Sequence, residues 1–143
     1  MKKWFFALAI LAVFLVWKFA LSPSKLEFTD RVKILQGINF AADHKAAIAE
    51  YWKKNGTFPT HEEWDKREDK IVTDFQKSLI QSIEVGTEGP GVITIIYTNA
   101  RDKNISSVIN GKKLFLTPEI KGETIDWSCK GNLPSDYLPK PCR

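Results

Sequence analysis

The chain has 143 residues and a formal net charge of +4, with 43% apolar and 27% charged residues. Three of its 21 basic residues, Lys2, Lys3 and Lys18, belong to an apolar N-terminal segment, so the remainder carries 18 basic and 17 acidic residues. A nearly neutral remainder lacks the clustered positive charge with which proteins bind nucleic acids. The composition therefore argues against a dedicated nucleic-acid-binding domain, and the roughly 120 residues after Leu21 are enough for one folded domain.

An apolar segment runs from Trp4 to Leu21 and is interrupted by a single charged residue, Lys18. A helix that crosses a bilayer needs about 20 mainly apolar residues, and the indole rings of Trp4 and Trp17 suit the two membrane interfaces. The lysines that precede the segment favour a cytoplasmic N-terminus. We therefore expect residues 1–22 to form a single-pass membrane anchor. The alternative is a signal peptide that is cleaved next to Leu21.

From Lys25 to Lys54, apolar and small residues recur at spacings of three and four, which predicts a long helix. The stripe consists of Phe28, Val32, Leu35, Ile38, Ala42, Ala49 and Trp52. Pro23 predicts either a kink in one continuous helix or a new helix that begins at a capping box formed by Ser24 and Glu27. Gly37 lowers helix propensity by about 1 kcal/mol, which indicates that another element packs closely there. Gly56 predicts the end of the helix.

After the long helix, the spacing of the apolar residues changes twice. Thr60 and Glu63 have the spacing of a capping box, which predicts a short second helix at the start of the charged segment Glu62–Lys77. From Ser82 onward the period is that of strands. Four strands are predicted at Ile83–Val85, Val92–Thr98, Lys113–Thr117 and Thr124–Trp127. The predicted fold class is α+β, with a long N-terminal helix packed on an antiparallel sheet of about four strands.

The two cysteines of the chain, Cys129 and Cys142, both lie near its C-terminal end. Two cysteines at one end favour a single bridge, and in the chain-entropy account a closed loop of about 14 residues stabilises a protein by about 3 kcal/mol. Disulfides persist outside the reducing cytosol, and the N-terminal segment provides a route there. The alternative is a pair of free thiols.

Several of these segments resemble the type IV pilins, in the same order along the chain. They are Gln36–Ala41, Lys45–Tyr51 and Asn55–Pro59 in and after the stalk helix, and Gly111–Pro118, Ile125–Cys129 and Tyr137–Arg143 in the last two strands and the disulfide loop. Pro23 lies where pilins kink. The resemblance covers residues 23–143 and implies a pilin-like periplasmic domain there, with residues 1–22 as its anchor in the bacterial inner membrane.

The N-terminal segment departs from the pilin pattern. Pilins begin with a short basic leader that ends in glycine, and they carry a glutamate within the apolar run. Neither feature is present before Trp17, and Phe5 and Phe6 occupy the region of the glutamate. In the family, that glutamate is expected to pair with the N-terminal amine of a neighbouring subunit. Because an unpaired charge in hydrocarbon is costly, such a pair fixes the position of one subunit relative to the next. We expect this protein to keep its N-terminal segment, and either not to polymerise or to do so through other contacts.

The resemblance implies a non-enzymatic structural or accessory protein of a type IV pilus system, active in adhesion or pilus assembly. It would pack its helix and head against pilin subunits or assembly proteins, at the membrane or in the pilus itself. A helix of this length usually extends beyond its own domain, so the N-terminal part of its stripe should remain available. The expected contact residues are Leu26, Phe28, Val32 and Leu35, and the alanine-rich face from Ala41 to Ala49 is a second candidate surface.

The disulfide loop offers an alternative function, the capture of a ligand or of DNA, as in some minor pilins. Its candidate residues are the cations Lys130, Lys140 and Arg143 and the aromatic residues Trp127 and Tyr137. Three cations are few for phosphate-driven binding at physiological salt, and Asp126 and Asp136 dilute the positive charge. Nucleic acid is therefore not the expected partner.

The sequence contains no recognisable catalytic pattern. It has no Gly-x-Ser-x-Gly segment and no glycine-rich loop after a strand. His44 and His61 have no second histidine or cysteine at ligand spacing, and lone histidines of this kind are more often surface residues than metal ligands. We expect no enzymatic activity, no bound metal and no cofactor.

Overall fold

The computed structural model describes residue 13 and residues 25–69, 71, 74–76, 78–100 and 107–143. Three helices are present in this part of the chain: α1 (Lys25–Phe40), α2 (Ala42–Asn55) and α3 (His61–Asp65). Within the described ranges, no helix has both the length and the apolar character needed to cross a membrane. The predicted anchor residues Trp4, Trp17, Lys18 and Pro23 lie outside the described residues.

Helices α1 and α2 follow one another with Ala41 as the only residue between them. The Ala41 N–H group donates to the Gly37 carbonyl oxygen at 3.2 Å, and the Lys45 N–H group donates to the Ala41 carbonyl oxygen at 2.9 Å. Helical hydrogen bonding therefore continues across the junction. The helix ends where Gly56 takes up a left-handed conformation with φ of 73°, as its sequence predicts.

The short helix α3 begins at the predicted capping box. The Thr60 N–H group donates to Glu63 Oε2 at 2.8 Å, and the Glu63 N–H group donates to Thr60 Oγ1 at 3.3 Å. These two bonds satisfy backbone donors that a helix leaves free at its first turn. The prediction of a second helix at this place is confirmed, although α3 has only five residues.

Four strands form one antiparallel sheet in the order β1-β2-β3-β4. They are β1 (Ile80–Val85), β2 (Ile93–Tyr97), β3 (Lys113–Lys121) and β4 (Thr124–Gly131). The predicted α+β fold is confirmed, but three strand bounds are wrong: β1 begins at Ile80 and not at Ile83, β3 runs past Thr117 to Lys121, and β4 runs past Trp127 to Gly131. Since β2 begins opposite Leu116, Pro118 has β4 as its only neighbour in the sheet. Its missing N–H group therefore removes no hydrogen bond to β2.

The long helix buries a different face from the predicted stripe. Its fully or nearly fully buried residues recur at spacings of three and four: Asp30, Ile34, Gly37, Ala41, His44 and Ile48. Val32 and Leu35 of the predicted stripe are exposed, at 43% and 42% of their surface. The core is completed by residues of the sheet and of the C-terminal loop: Leu79, Ile80, Val85, Ile93, Ile95, Tyr97, Ile109, Leu114, Leu116, Leu133 and Leu138.

Tyr97 joins the sheet to the helix backbone. Its hydroxyl group is fully buried and donates to the Ile34 carbonyl oxygen at 2.9 Å. A Cβ atom placed on Gly37 would lie 2.5 Å from that hydroxyl oxygen, so only glycine allows the ring to approach this closely. Burial raises the pKa of Tyr97 far above its usual range, so the hydroxyl keeps the proton that it donates. The close packing predicted at Gly37 is confirmed.

We expect Gly37→Ala to lower the free energy of unfolding by about 1–3 kcal/mol, because the added methyl group overlaps the Tyr97 hydroxyl. This loss would occur although alanine favours a helix over glycine by about 1 kcal/mol. Urea unfolding of the full chain measures the effect. The same substitution should cost less in a Tyr97→Phe background, and Asn39→Ala on the same helix should be nearly neutral. Equal costs in the two Tyr97 backgrounds would contradict the proposed overlap.

Candidate functional site

The C-terminal loop is closed by a disulfide between Cys129 and Cys142, as the sequence predicts. Cys129 lies in β4, and Cys142 is buried in the core. The loop is also attached to the sheet through Asn132. The Lys113 N–H group donates to Asn132 Oδ1 at 2.6 Å, and the Asn132 N–H group donates to the Lys113 carbonyl oxygen at 3.1 Å. The loop is therefore anchored at both of its ends.

The disulfide brings together the backbone next to two cations that are distant in sequence. Lys130 and Arg143 each follow a cysteine directly, and the two cysteine Cα atoms are 4.5 Å apart. Lys140 is also exposed on the loop. Asp126, which was expected to dilute this charge, pairs with Lys121 at 2.5 Å. The predicted basic residues are thus all exposed, but Lys130 follows Cys129 in a strand and lies on the other face of the sheet from the disulfide, and Arg143 Nε donates to the Leu138 carbonyl oxygen at 2.9 Å.

Trp127, a predicted stacking residue of the loop, already has a partner within the chain. The Lys45 amino group lies 5.2 Å from the centroid of its ring, a cation–π distance. Partial burial at this position lowers the pKa of Lys45. The contact ties helix α2 to strand β4, and it leaves less of the indole free for a ligand. Tyr137, the second predicted stacking residue, is half-buried in a 3-10 turn of the loop.

The structure describes two of the four predicted contact residues on the helix. Val32 and Leu35 lie exposed on α1, while the side chains of Leu26 and Phe28 are outside those described. A groove of about 460 Å³ flanks this part of the helix. Its lining residues are Gln36, Asn39, Phe40, Asp74 and Ser78. Within the alanine-rich face, Ala42 and Ala46 are exposed and Ala41 is buried.

His44 is a residue whose position sequence reasoning missed. It was expected at the surface, but only 5% of it is exposed, and its ring stacks on Trp64 at a centroid distance of 6.0 Å. The available signal was its spacing, because it lies three residues after Ala41 and four before Ile48, on the buried face of the helix. Among the residues that the structure describes, no group of three His, Cys, Asp or Glu could hold a metal ion.

We expect Cys142→Ser to destabilise the C-terminal loop by about 3 kcal/mol, because the open chain regains the entropy that the bridge removes. Helices α1 and α2 should remain intact, since neither is part of the closed loop. Limited proteolysis and hydrogen exchange under oxidising conditions measure both effects. The double variant Cys129→Ser/Cys142→Ser separates loss of the bond from reactions of a free thiol, and Ser135→Ala is a control at an exposed loop position. Equal protease resistance of the wild type and Cys142→Ser would refute the expectation.

A family model described as pilin, a bacterial filament protein, matches residues 31–143. The fimbrial protein EcpC of Eikenella corrodens is 25% identical over 122 residues, which cover 85% of this chain and 75% of that protein. A fimbrial protein of Neisseria meningitidis serogroup A is 27% identical over 107 residues, which cover 75% of this chain. The chain spans 58% of the length of that meningococcal relative.

A solved structure shares the fold. A type IV pilin of Pseudomonas aeruginosa strain Pa110594 matches with a TM-score of 0.53 and 20% identity, over 82% of this chain and 99% of that one. Its identity is too low to carry more than the fold. The family match over residues 31–143, together with the helix, the four-stranded meander and the disulfide loop, shows that this chain belongs to the type IV pilin family, whose members are structural proteins of bacterial filaments.

Proposed function

We propose that this chain is a structural or accessory component of a type IV pilus system, without enzymatic activity. It acts by packing its helix and head against pilin subunits or pilus assembly proteins. The observation that supports this most directly is the apolar surface that α1 leaves exposed at Val32 and Leu35. The opposite side of α1 is covered by the chain's own sheet, so a partner protein can contact α1 only on the side that carries Val32 and Leu35.

The energetics of that surface favour a protein partner. Complete burial of an aliphatic side chain contributes about 1.5–3 kcal/mol, and about half of that remains to be gained at Val32 and Leu35. Residues at positions i and i+3 form a ridge that packs into the groove of a neighbouring helix. The predicted contacts Leu26 and Phe28 would extend the surface toward the N-terminus of α1. Exposed Ala42 and Ala46 on α2 would let a partner approach closely.

The proposal includes the location of the protein. Residues 1–22 would anchor it in the bacterial inner membrane, and residues 23–143 would form the periplasmic domain, from which it would reach the pilus. The apolar segment Trp4–Leu21 and the disulfide support this arrangement, because a stable disulfide requires an oxidising compartment. The fimbrial relatives are consistent with a place at the cell surface.

We expect Val32→Glu to weaken binding of the full chain to purified pilin subunits at least about tenfold, since burial of one charge costs more than the 1.4 kcal/mol that corresponds to this factor. Val108→Glu is the matched control, because Val108 has the same exposure of 43% but belongs to the 3-10 turn Ser107–Ile109 and not to the helix. Surface plasmon resonance measures both affinities. An unchanged affinity of Val32→Glu, or an equal loss in Val108→Glu, would contradict a contact through α1.

A second candidate function is the capture of DNA or another polyanion by the disulfide loop. The observation that favours it is that Lys130, Lys140 and Arg143 are all exposed, and that the disulfide brings the backbone next to Lys130 and Arg143 within 4.5 Å. The logarithm of the binding constant falls linearly with the logarithm of the salt concentration, and each phosphate that a cation contacts makes this slope steeper by about 0.9. Three contacts therefore predict weak binding that falls about 40-fold between 50 and 200 mM salt.

Reversal of charge in Lys130→Glu/Lys140→Glu should abolish binding of the full chain to double-stranded DNA at low salt. The double variant Lys53→Glu/Lys54→Glu changes the net charge equally at exposed positions of α2 and should retain binding. Fluorescence anisotropy at several salt concentrations provides the measurement. No binding of the wild type at 50 mM salt would exclude this function, and equal losses in both double variants would assign the binding to net charge alone.

A further inference from the structure

Helix α3 and the residues that follow it lie at the surface of the domain, and none of their side chains is fully buried. This segment, residues 61–69, contains a helix of five residues, which is too short to be stable by itself. The ion pair between Lys66 and Glu62 is largely exposed and contributes little. The His61 ring lies 3.1 Å from the Val85 carbonyl oxygen of β1. The largest apolar side chain that the segment offers to the domain is Trp64, which is half-buried.

Trp64 lies in a stack that begins on the long helix. Its ring is nearly parallel to that of His44, at an angle of 25° and a centroid distance of 6.0 Å. The Arg67 guanidinium group lies over Trp64, 4.2 Å from the ring centroid. Asp69 in turn accepts two hydrogen bonds from Arg67, at 2.5 and 3.1 Å. The segment therefore folds around Trp64, and it rests on the long helix at His44 and at Tyr51, whose side chain is hydrogen-bonded to Glu63.

The surroundings of His44 favour a neutral ring. It is 5% exposed, and its Nδ1 atom has no hydrogen-bond partner among the described residues. Burial lowers the pKa of His44, and the Arg67 cation adds to this, while the Phe40 carbonyl group and Asp43 act in the opposite direction. A cavity of about 120 Å³ lies beside the ring. Its lining residues are His44, Trp64, Asp65, Arg67, Asp69, Ile71 and Ile83.

The charged groups that face this cavity give an imidazolium little support. Asp69 is engaged by Arg67, and Asp65 contacts His61 at 3.4 Å with most of its side chain in solvent. Strand β1 contributes only the apolar Ile83 to the cavity. A protonated ring would therefore gain more from water than from its neighbours, and the open cavity gives Trp64 room to move aside.

We propose that residues 61–69 form an acid-sensitive latch, and that protonation of His44 releases Trp64 and the segment around it. The sheet, the long helix and the disulfide loop stay in place. The closed state holds His44 neutral, so it is fully favoured above the pKa of an exposed histidine, about 6.5, and loses this advantage as the pH falls below that value. Glu63 and Asp69 stay ionised in this range, because hydrogen bonds from Thr60 and Arg67 lower their pKa values. In an exported protein, the latch would couple the acidity of the surroundings to the exposure of one part of the head.

Hydrogen exchange of the full chain at pH 7.5 and pH 5.5 tests the latch. The Trp64 and Lys66 amides, which donate to Thr60 and Glu62, report on the segment, and the Tyr97 amide reports on the sheet. After correction for the effect of pH on chemical exchange, we expect opening of the segment to increase by up to about tenfold, the limit for one histidine whose pKa is about 6.5 in the open state. Opening at Tyr97 should not change. Simultaneous opening of segment and sheet would overturn the proposal, as would an unchanged segment.

Two variants test which histidine takes up the proton that opens the latch. His44→Phe keeps an aromatic ring against Trp64 but cannot titrate, so its segment should show the same opening at both pH values. His61→Gln removes the only other histidine of the chain and should keep the response of the wild type. Loss of the response in His61→Gln, or its persistence in a folded His44→Phe, would overturn the assignment. If His44→Phe does not fold, the His61→Gln result decides alone, because the chain contains two histidines.

Discussion

The contact of Tyr97 with the helix backbone determines how the helix and the sheet fit together. The Tyr97 hydroxyl reaches the Ile34 carbonyl oxygen because Gly37 has no side chain in its way. This contact fixes the rotation of the helix about its axis, so that Ile34, Ala41 and Ile48 lie against the sheet. The same rotation turns Val32 and Leu35 outward. A single buried hydrogen bond and a single glycine thus decide which apolar residues stabilise the domain and which remain available to a partner.

Local rules of sequence explain much of the fold. The helix period, the Gly56 stop and the Thr60–Glu63 capping box each depend on neighbouring residues, and each is found where it is predicted. The four strands were also located, since their alternation is local. Their exact bounds were not; for example, whether Pro118 can lie in β3 depends on where β2 begins. That is a property of the folded sheet, which the sequence around Pro118 does not contain.

Some features of the candidate functional surfaces could be predicted from local sequence, and others could not. The disulfide could be predicted because the chain has just two cysteines, and the proximity of the backbone at Lys130 and Arg143 follows from it. The faces of the helix could not be separated from sequence, since both carry apolar residues at helical spacing. His44 was assigned to the surface as an isolated histidine, whereas its position relative to Ala41 and Ile48 places it inside. A polar residue on a buried stripe is recognised only when the stripe itself is correctly assigned.

The order of the strands has a consequence for the way the domain is assembled. Each strand pairs with the one that precedes it in the chain, so no strand has to be inserted between two that are already joined. Chains dominated by such short-range pairings lose less entropy on the way to the native state and fold faster than those with distant pairings. Among the described elements, the long helix precedes the sheet, and Cys142 follows all four strands. The disulfide can therefore form last, and it then crosslinks a domain whose hydrogen bonds and buried core are already in place.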